Sequence, residues 1–274
     1  MVHDPHPPVS DAAFARWLAE RAGELLLATR AEVGFDDPAG LRQAGDKLAH
    51  DLLRSELARW RPGDAVLSEE DADARAAVRD DGPSRVTADR VWIVDPLDGT
   101  SEYSEPGRSD WAVHVALWSR GSGAGHGLAT GAVALPAQHR VLGSDPPPPY
   151  PPMSATSAAG GPIRLAASRS RPPAFLAGLA DEVGAELVPM GSAGAKIAAV
   201  ISGEVDAYVH AGGQYEWDSA APVAVAMATG LHASRIDGAT LKYNQANPRL
   251  PDLIVCRKDL GPRLLAALRA HTVA

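Results

Sequence analysis

Two aspartates three residues apart follow an apolar run in the first half of the chain. Residues 92–101 read Trp-Ile-Val-Asp-Pro-Leu-Asp-Gly-Thr-Ser. The β-branched pair at 93–94 predicts the end of a buried strand. Pro96 is expected to stop that strand because proline has no backbone N–H to donate. Asp95 should therefore lie at the carboxyl edge of the strand, with Asp98 three positions beyond it.

The three residues after Asp98 favour a bound anion. Gly99 permits a tight turn, while Thr100 and Ser101 are residue types that cap helices, where free N–H groups can face an anion. Carboxylates and N–H donors so close in sequence suggest a hard cation beside a phosphate. An Asp-rich turn without a ligand is the simpler alternative for this segment taken alone.

Carboxylates from three other segments could join this pair. Asp46 lies on a predicted helix, and Asp218 begins another. Glu69 and Glu70 end a predicted strand. Such a cluster would repel itself unless cations neutralised it, and all-oxygen ligation indicates Mg²⁺ rather than zinc. Two ions about 4 Å apart could clamp a phosphoryl transfer. A solvated acidic loop and a simple helix cap remain the alternatives for these segments.

The composition excludes several classes of function. The chain has 274 residues, a net charge of −8 and a single cysteine, Cys256. The negative charge argues against a nucleic-acid polymer as partner, and one cysteine cannot form a disulfide framework. Without an apolar run of eighteen residues or an apolar leader, we expect no membrane partner and a cytoplasmic location. EF-hand, P-loop, dinucleotide-binding and serine-hydrolase motifs are absent from the sequence.

The pattern of apolar residues predicts six helices and nine strands. The helices are expected at residues 10–31, 41–60, 172–183, 194–201, 218–229 and 260–270. The strands are expected at residues 65–67, 92–95, 111–118, 128–135, 140–142, 163–166, 186–188, 207–209 and 253–256. Strands between residues 92 and 142 predict an antiparallel meander. In the second helix, Leu48, Leu52, Leu53 and Leu57 are expected to face inward.

A Pro-rich stretch at residues 146–161 is expected to be a linker or a long exposed loop, because it cannot form a packed core. It predicts an N-terminal domain at residues 1–160, which carries most candidate metal ligands, and a C-terminal domain at residues 161–274, which carries Asp218 and the candidates for substrate recognition. The first domain is interpreted as α+β and the second as α/β.

Three segments taken together resemble the lithium-sensitive, magnesium-dependent phosphatase family that includes inositol monophosphatase. They are Glu69-Glu70, residues 95–100 and residues 217–221, and they have that family's order and spacing over nearly the whole chain. The resemblance implies a layered α-β-α-β-α sandwich, combining α+β and α/β parts, with the site between its two halves. It also implies hydrolysis of a phosphate monoester, two to three Mg²⁺ ions and inhibition by lithium.

The resemblance assigns ligands to these ions. Glu69, Asp95 and the carbonyl of Leu97 would hold one Mg²⁺. Asp95 would also bridge to a second ion, which Asp98 and Asp218 would complete. A third, more weakly held ion would contact Glu69 through water.

The same resemblance assigns roles in the reaction. Thr100, oriented by Asp46, would help Glu69 to activate the attacking water. The main-chain N–H groups of Gly99 and Thr100 would hold the phosphate, with Ser101 beside them.

Within that family the chain is most similar to the CysQ type of 3′(2′),5′-bisphosphate nucleotidase. Residues 168–170, 191–196 and 216–221 carry this similarity. It implies removal of the 3′-phosphate of 3′-phosphoadenosine 5′-phosphate to give AMP, in connection with sulfate assimilation. 3′-Phosphoadenosine 5′-phosphosulfate is a further candidate substrate.

Several side chains outside the metal site are candidates for binding this substrate, namely Ser168, Arg169, Arg171, Ser192 and Lys196. Lys196 and Arg171 could pair with the second phosphate, and Arg169 could stack on adenine. Ser192 begins a predicted helix, where an anion is favoured. Arg171 stands where this group often has histidine, and His210 stands where arginine is frequent. These departures leave the contacts to the second phosphate open.

Other functions remain open from the sequence alone. Inositol-1-phosphatase and fructose-1,6-bisphosphatase activities would use the same metal chemistry. A catalytically silent nucleotide-binding regulator belongs to a different class, but a regulator has no need of a water-activating Thr100. The oligomeric state is open as well, with a homodimer as one possibility.

Overall fold

The computed structural model describes residues 7–71, 73, 75, 84–122 and 125–272. In these ranges the helices are α1 (Asp11–Val33), α2 (Pro38–Trp60), α3 (Thr100–Tyr103), α4 (Ala155–Ala158), α5 (Leu176–Val183), α6 (Ala193–Ile201), α7 (Ala220–Ala228) and α8 (Gly261–Thr272). The strands are β1 (Ala65–Ser68), β2 (Arg90–Asp98), β3 (Ala112–Ser119), β4 (Leu128–Leu135), β5 (Arg140–Gly143), β6 (Ile163–Ser168), β7 (Ala185–Met190), β8 (Ala207–Tyr215), β9 (His232–Ser234) and β10 (Arg249–Cys256). No helix in this part of the chain is both long and apolar enough to cross a membrane.

The first five strands form one sheet in sequence order. β1 runs parallel to β2, and β2 to β5 are successive antiparallel neighbours. The predicted meander is therefore confirmed, as expected for strands joined by short connections.

The last five strands form a second sheet in the order β7-β6-β8-β10-β9. β6 is parallel to both β7 and β8, whereas β10 is antiparallel to β8 and β9. The C-terminal part is therefore a mixed sheet whose parallel strands alternate with helices. The sequence pattern does not predict β9, because three residues are too few to show a period.

Apolar side chains form three cores between five layers, and one of these cores extends over both faces of the central helix layer. α1 and α2 pack on one face of the first sheet, which contributes Trp92 and Val94. Val91 and Ile93 lie on the opposite face and pack against α6 and α7, which also cover the second sheet. α5 and α8 pack on the outer face of the second sheet. Successive residues of β2 thus point into two different cores, as expected for a strand. The order of the layers confirms the predicted α-β-α-β-α sandwich.

The two sheets lie on either side of residue 160, but one core joins them through α6 and α7. The division into domains at residues 1–160 and 161–274 therefore stays a prediction. The site described below lies between the two sheets, so both parts of the chain contribute to it.

The second helix differs from its prediction in its start and in its buried face. It begins at Pro38 because Asp37 caps it, accepting a hydrogen bond from the Gly40 N–H at 3.0 Å. The prediction that Leu48 faces inward is wrong, since 42% of its surface is exposed. Leu48 lies one position away from the buried stripe, which consists of Leu41, Gly45, Ala49, Leu53 and Leu57.

Pro96 does not end β2, contrary to the prediction. The strand continues to Asp98, with a register shift between Asp95 and Asp98. Asp95 pairs with His114 and Asp98 with Ala112, so β2 contains one extra residue at this point. A bulge tolerates proline because the extra residue needs no partner in the ladder.

The Pro-rich stretch is packed on the C-terminal part of the chain, so its description as an exposed loop is wrong in part. Ser154 is fully buried, and its N–H and hydroxyl donate to the carboxylate of Asp206 at 2.9 and 2.7 Å. The guanidinium of Arg257 donates to the carbonyl of Pro151 at 2.6 Å. These polar contacts fix a segment whose large apolar side chains, Tyr150 and Met153, stay exposed.

Candidate active site

The bulge in β2 gives Asp95 and Asp98 different hydrogen-bond partners. Asp95 is fully buried, and its Oδ1 accepts a hydrogen bond from the Leu97 N–H at 3.1 Å. Its Oδ2 has no hydrogen-bond partner. The Oδ2 of Asp98 accepts from the Ser192 hydroxyl at 2.5 Å and from the Gly194 N–H at 2.6 Å. The start of α6 therefore fixes Asp98, while Asp95 retains a free oxygen.

The third aspartate comes from the C-terminal part of the chain. Residues 216–218 form a 3₁₀ turn before α7, and the Oδ2 of Asp218 accepts from the Tyr215 N–H at 2.6 Å. One oxygen each from Asp95, Asp98 and Asp218 lies within 4.8 Å of the others. Segments more than one hundred residues apart thus meet at one point.

Two further acidic residues stand close to this cluster. Burial raises the pKa of Glu69, and repulsion from Asp98 and Glu70 acts in the same direction. The Arg75 guanidinium, 2.7 Å from the Glu69 carboxylate, opposes this. Burial followed by repulsion from Glu70 and Glu69 raises the pKa of Asp46 to about 7. Both residues are therefore part of one strongly negative region.

The cluster has the properties of a cation site. Burial first, and then the neighbouring carboxylates, raise the pKa values of Asp95 and Asp218 well above their ordinary range. The unpartnered Oδ2 of Asp95 is a buried acceptor, which is costly unless a proton or cation satisfies it. Oxygen donors from carboxylates suit Mg²⁺. The residues present therefore fit a hard divalent cation.

His114 is a neighbour of this cluster that sequence reasoning did not single out. Its Nδ1 lies 3.0 Å from the Trp217 carbonyl, and its Nε2 lies 3.3 Å from the Asp98 Oδ2. Burial lowers its pKa. Gly194 makes this approach possible, since a Cβ there would lie 1.9 Å from the His114 Nε2. Only the strand pairing of β2 with β3 brings this histidine to the site, so no sequence motif reveals it.

A cavity of 640 Å³ opens beside the carboxylates. Among the residues that line it are Glu69, Leu97, Asp98, Gly99, Thr100, Ser101, Ser168, Arg169, Arg171, Ser192, Lys196, Tyr208, His210, Gln214 and Asp218. Every predicted site residue except Asp95 and Asp46 is in this lining. Among the described residues, no hydrogen bond joins Thr100 to Asp46, so the predicted orientation of Thr100 by Asp46 stays a prediction.

The predicted substrate cations differ in their surroundings. The guanidinium of Arg169 is paired with Glu102 at 2.9 Å and Glu105 at 2.8 Å, which balances its charge. Only 3% of the surface of Lys196 is exposed, and its ammonium donates hydrogen bonds to the carbonyls of Gly191 and Ser192. Arg171 is exposed at the cavity wall. Arg171 is therefore the candidate cation that is most available to a ligand.

Two of the predicted substrate hydroxyls already have structural partners. The Oγ of Ser192 caps α6 by accepting from the Ala195 N–H at 2.9 Å while donating to Asp98. The Oγ of Ser168 accepts from the Arg171 N–H at 3.1 Å. Ser192 thus supports the carboxylate cluster, and Ser168 shapes the loop that carries Arg171.

The carboxylate cluster predicts an unusual pH dependence of stability without metal. Asp46, Asp95 and Asp218 hold protons more tightly in the folded than in the unfolded state, so stability is lost as pH rises through their folded pKa values. We expect the thermal midpoint in EDTA to fall between pH 5 and pH 7.5, and Mg²⁺ to reverse most of the fall. Differential scanning calorimetry at several pH values would test this. A midpoint in EDTA that is constant or rises over this range would contradict the expectation.

Fold and site together define a class of layered α/β proteins with a carboxylate cluster that could hold divalent cations. Residues 11–146 and 148–272 match the inositol monophosphatase family. The 3′-phosphoadenosine 5′-phosphate phosphatase of Mycobacterium leprae is 51% identical over 272 residues, covering 95% of this chain and 94% of that protein. The protein of the same name from Mycobacterium tuberculosis (strain CDC 1551 / Oshkosh) is 52% identical over 252 residues, covering 90% and 89%.

A solved structure agrees with the fold. Mycobacterium tuberculosis SuhB superposes with a TM-score of 0.69 at 23% identity, covering 98% of this chain and 99% of that one. The chain belongs to the inositol monophosphatase family, which confirms the resemblance identified in the sequence.

Proposed function

We propose that the protein is a magnesium-dependent phosphomonoesterase that hydrolyses the 3′-phosphate of 3′-phosphoadenosine 5′-phosphate to give AMP. The observation that carries this proposal is the convergence of Asp95, Asp98 and Asp218 beside a cavity large enough for a nucleotide. The names of the relatives about half identical to this chain support the choice of substrate.

In this proposal the carboxylates hold two to three Mg²⁺ ions. Glu69, Asp95 and the Leu97 carbonyl would bind one ion, while Asp98 and Asp218 would bind a second together with Asp95. When bound, the ions would supply Lewis-acid stabilisation of the charge that develops on the phosphoryl oxygens. The free Oδ2 of Asp95 supports its role as a shared ligand.

The protein's own groups would position the reactants. The Glu69 carboxylate is next to the cluster and lines the cavity, so it could accept a proton from the attacking water. Thr100 would hold that water, with Asp46 as a second acidic group nearby. Gly99 adopts φ +88 at the start of α3, which leaves the N–H groups of Gly99, Thr100 and Ser101 for the phosphate.

A panel of phosphate esters at fixed Mg²⁺ tests the proposal. We expect kcat/KM for 3′-phosphoadenosine 5′-phosphate to exceed that for inositol 1-phosphate by roughly ten- to a hundred-fold, because a charge-assisted contact to a second phosphate contributes about 1.5–3 kcal/mol. Fructose 1,6-bisphosphate and 3′-phosphoadenosine 5′-phosphosulfate complete the panel, and EDTA is the control. Equal kcat/KM for the first two substrates would favour an inositol phosphatase. Binding of the nucleotide without phosphate release would favour a regulator.

Four further hypotheses accompany this proposal. Li⁺ should inhibit the reaction, which steady-state kinetics would detect. Assembly as a homodimer can be examined by analytical ultracentrifugation. A cytoplasmic location and a part in sulfate assimilation can be examined by fractionation and by growth of a deletion strain on sulfate.

A further inference from the structure

One wall of the cavity carries a group of buried polar side chains that the metal chemistry does not use. Tyr208, His210 and Gln214 belong to β8 and line the cavity, and each is at least nine-tenths buried. The rings of Tyr208 and His210 lie 6.2 Å apart between centroids. The Gln214 Nε2 reaches back along the strand to the Tyr208 hydroxyl at 3.1 Å. The three side chains therefore form one group, here called the β8 recess.

His210 presents a hydrogen-bond acceptor in this recess. Its Nε2 lies 2.5 Å from the Gly212 carbonyl, and a carbonyl can only accept, so Nε2 carries the hydrogen. Burial lowers the pKa of His210, which favours the neutral ring. The Nδ1 of the neutral ring is then an acceptor, and it is buried without a partner.

Gln214 presents a second acceptor. Its Nε2 donates to Tyr208, and its Oε1 is buried without a hydrogen-bond partner. Buried unpartnered acceptors are uncommon because each loses its hydrogen bond to water. Two of them on one wall of a ligand cavity indicate a ligand that brings donors.

The backbone beside the recess leaves space for a flat ligand. Gly212 and Gly213 have φ values of +85 and +78, and they also line the cavity. A Cβ built on either glycine would meet nothing within 4 Å, so this stretch of wall is open. A planar ring could lie against the backbone here with its edge directed at His210 and Gln214.

We infer that His210 and Gln214 select the base of the substrate by accepting hydrogen bonds from an exocyclic amino group, so that a 6-aminopurine is preferred over a 6-oxopurine. An amino group offers two hydrogens to two acceptors, whereas an oxo group would face both acceptors with lone pairs. The same acceptors repel a phosphate, which leaves the second phosphate to Arg171. This inference rests on the proposed function, whose substrate it defines further.

The decisive comparison uses two substrates that differ at position 6 of the purine. We expect kcat/KM for 3′-phosphoadenosine 5′-phosphate (adenosine 3′,5′-bisphosphate) to exceed that for inosine 3′,5′-bisphosphate by at least about tenfold in the wild-type enzyme. The inosine compound would leave the buried acceptors of the site unpaired. Gln214→Met and His210→Phe should each lower this ratio to less than about threefold. Gln43→Met, at an exposed position on α2, is the matched control and should keep the ratio.

A binding measurement separates this inference from the proposed function. Calorimetry should show tighter binding of AMP than of IMP to the wild-type protein, and this needs neither turnover nor a variant. If AMP is preferred but neither bisphosphate is hydrolysed, the recess is supported and the proposed function fails. If both bisphosphates are hydrolysed with equal kcat/KM and AMP and IMP bind equally, the proposed function stands and the inference is overturned. An unchanged ratio in both variants, with wild-type thermal midpoints, would overturn the assignment to these residues.

Discussion

Asp95→Asn is expected to lower kcat by at least about 100-fold, equivalent to about 2.7 kcal/mol in the activation barrier, while the fold stays intact. The side chain is fully buried, its Oδ2 has no hydrogen-bond partner in the protein, and the carboxylates of Asp98 and Asp218 lie next to it. In the proposed mechanism it is the ligand shared by two ions, and an amide is a weaker ligand without charge. Steady-state kinetics over a range of Mg²⁺ concentrations would measure the loss.

The same variant should be more stable than the wild type when no metal is present. Burial first, and then repulsion from Glu69, Asp98 and Asp218, disfavours the charged form of Asp95 and raises its pKa, and a neutral amide at this position removes that cost. A gain of about 1 kcal/mol would raise the thermal midpoint by about 2–4 °C for a chain of this size. Asp181→Asn, at an exposed position on α5, serves as the control. Retention of more than about a tenth of wild-type kcat by Asp95→Asn would contradict the shared-ligand role.

The order of elements could be predicted from the sequence because the apolar periods are clear. The meander and the layers are confirmed, and most helix ends differ from prediction by a few residues. The predictions were wrong where one residue type fits two different structural environments. Pro96 ends strands in general, but a bulge accommodates it within β2. Leu48 is apolar, but it lies beside the buried stripe of α2 rather than on it.

The site was predictable only where neighbours in sequence carry the chemistry. The spacing of Asp95 and Asp98 identifies them in the sequence, and Asp218 was assigned to the site through the family resemblance. The approach of His114 depends on strand pairing and on Gly194, which no local pattern shows. The β8 recess depends on a side chain reaching back over six residues from Gln214 to Tyr208. Contacts of this kind arise from tertiary packing, so a sequence motif does not record them.

The structure also changes the expected contact to the second phosphate. From the sequence, Lys196 and Arg171 were both candidates, and Lys196→Ala was the variant expected to weaken the preference for the bisphosphate. The ammonium of Lys196 is engaged by two carbonyls and lies 5.3 Å from the centre of the Tyr208 ring. Burial lowers its pKa. Lys196→Ala would therefore remove hydrogen bonds inside the protein, and a loss of activity in that variant would not isolate a substrate contact.

Arg171→Ala is expected to lower kcat/KM for 3′-phosphoadenosine 5′-phosphate by roughly ten- to a hundred-fold. Arg171 is exposed at the cavity wall, and a guanidinium can bind a phosphate through two parallel hydrogen bonds worth about 1.5–3 kcal/mol. The effect should fall on the second phosphate alone. Adenosine 3′-phosphate lacks that group, so its kcat/KM should change far less than that of the bisphosphate.

The comparison of the two substrates identifies what Arg171 contacts. A loss of equal size for both would mean that Arg171 supports the shape of the loop after β6 or the scissile phosphate, since neither effect depends on the 5′-phosphate. Arg171→Lys retains the charge without the planar pair of donors, and it should recover part of the loss. Arg269→Ala removes an exposed arginine on α8, which tests whether the effect is only a change in net charge. Because long-range attraction is screened by salt, the Arg171 effect should also persist at 0.5 M KCl if it reflects a direct contact.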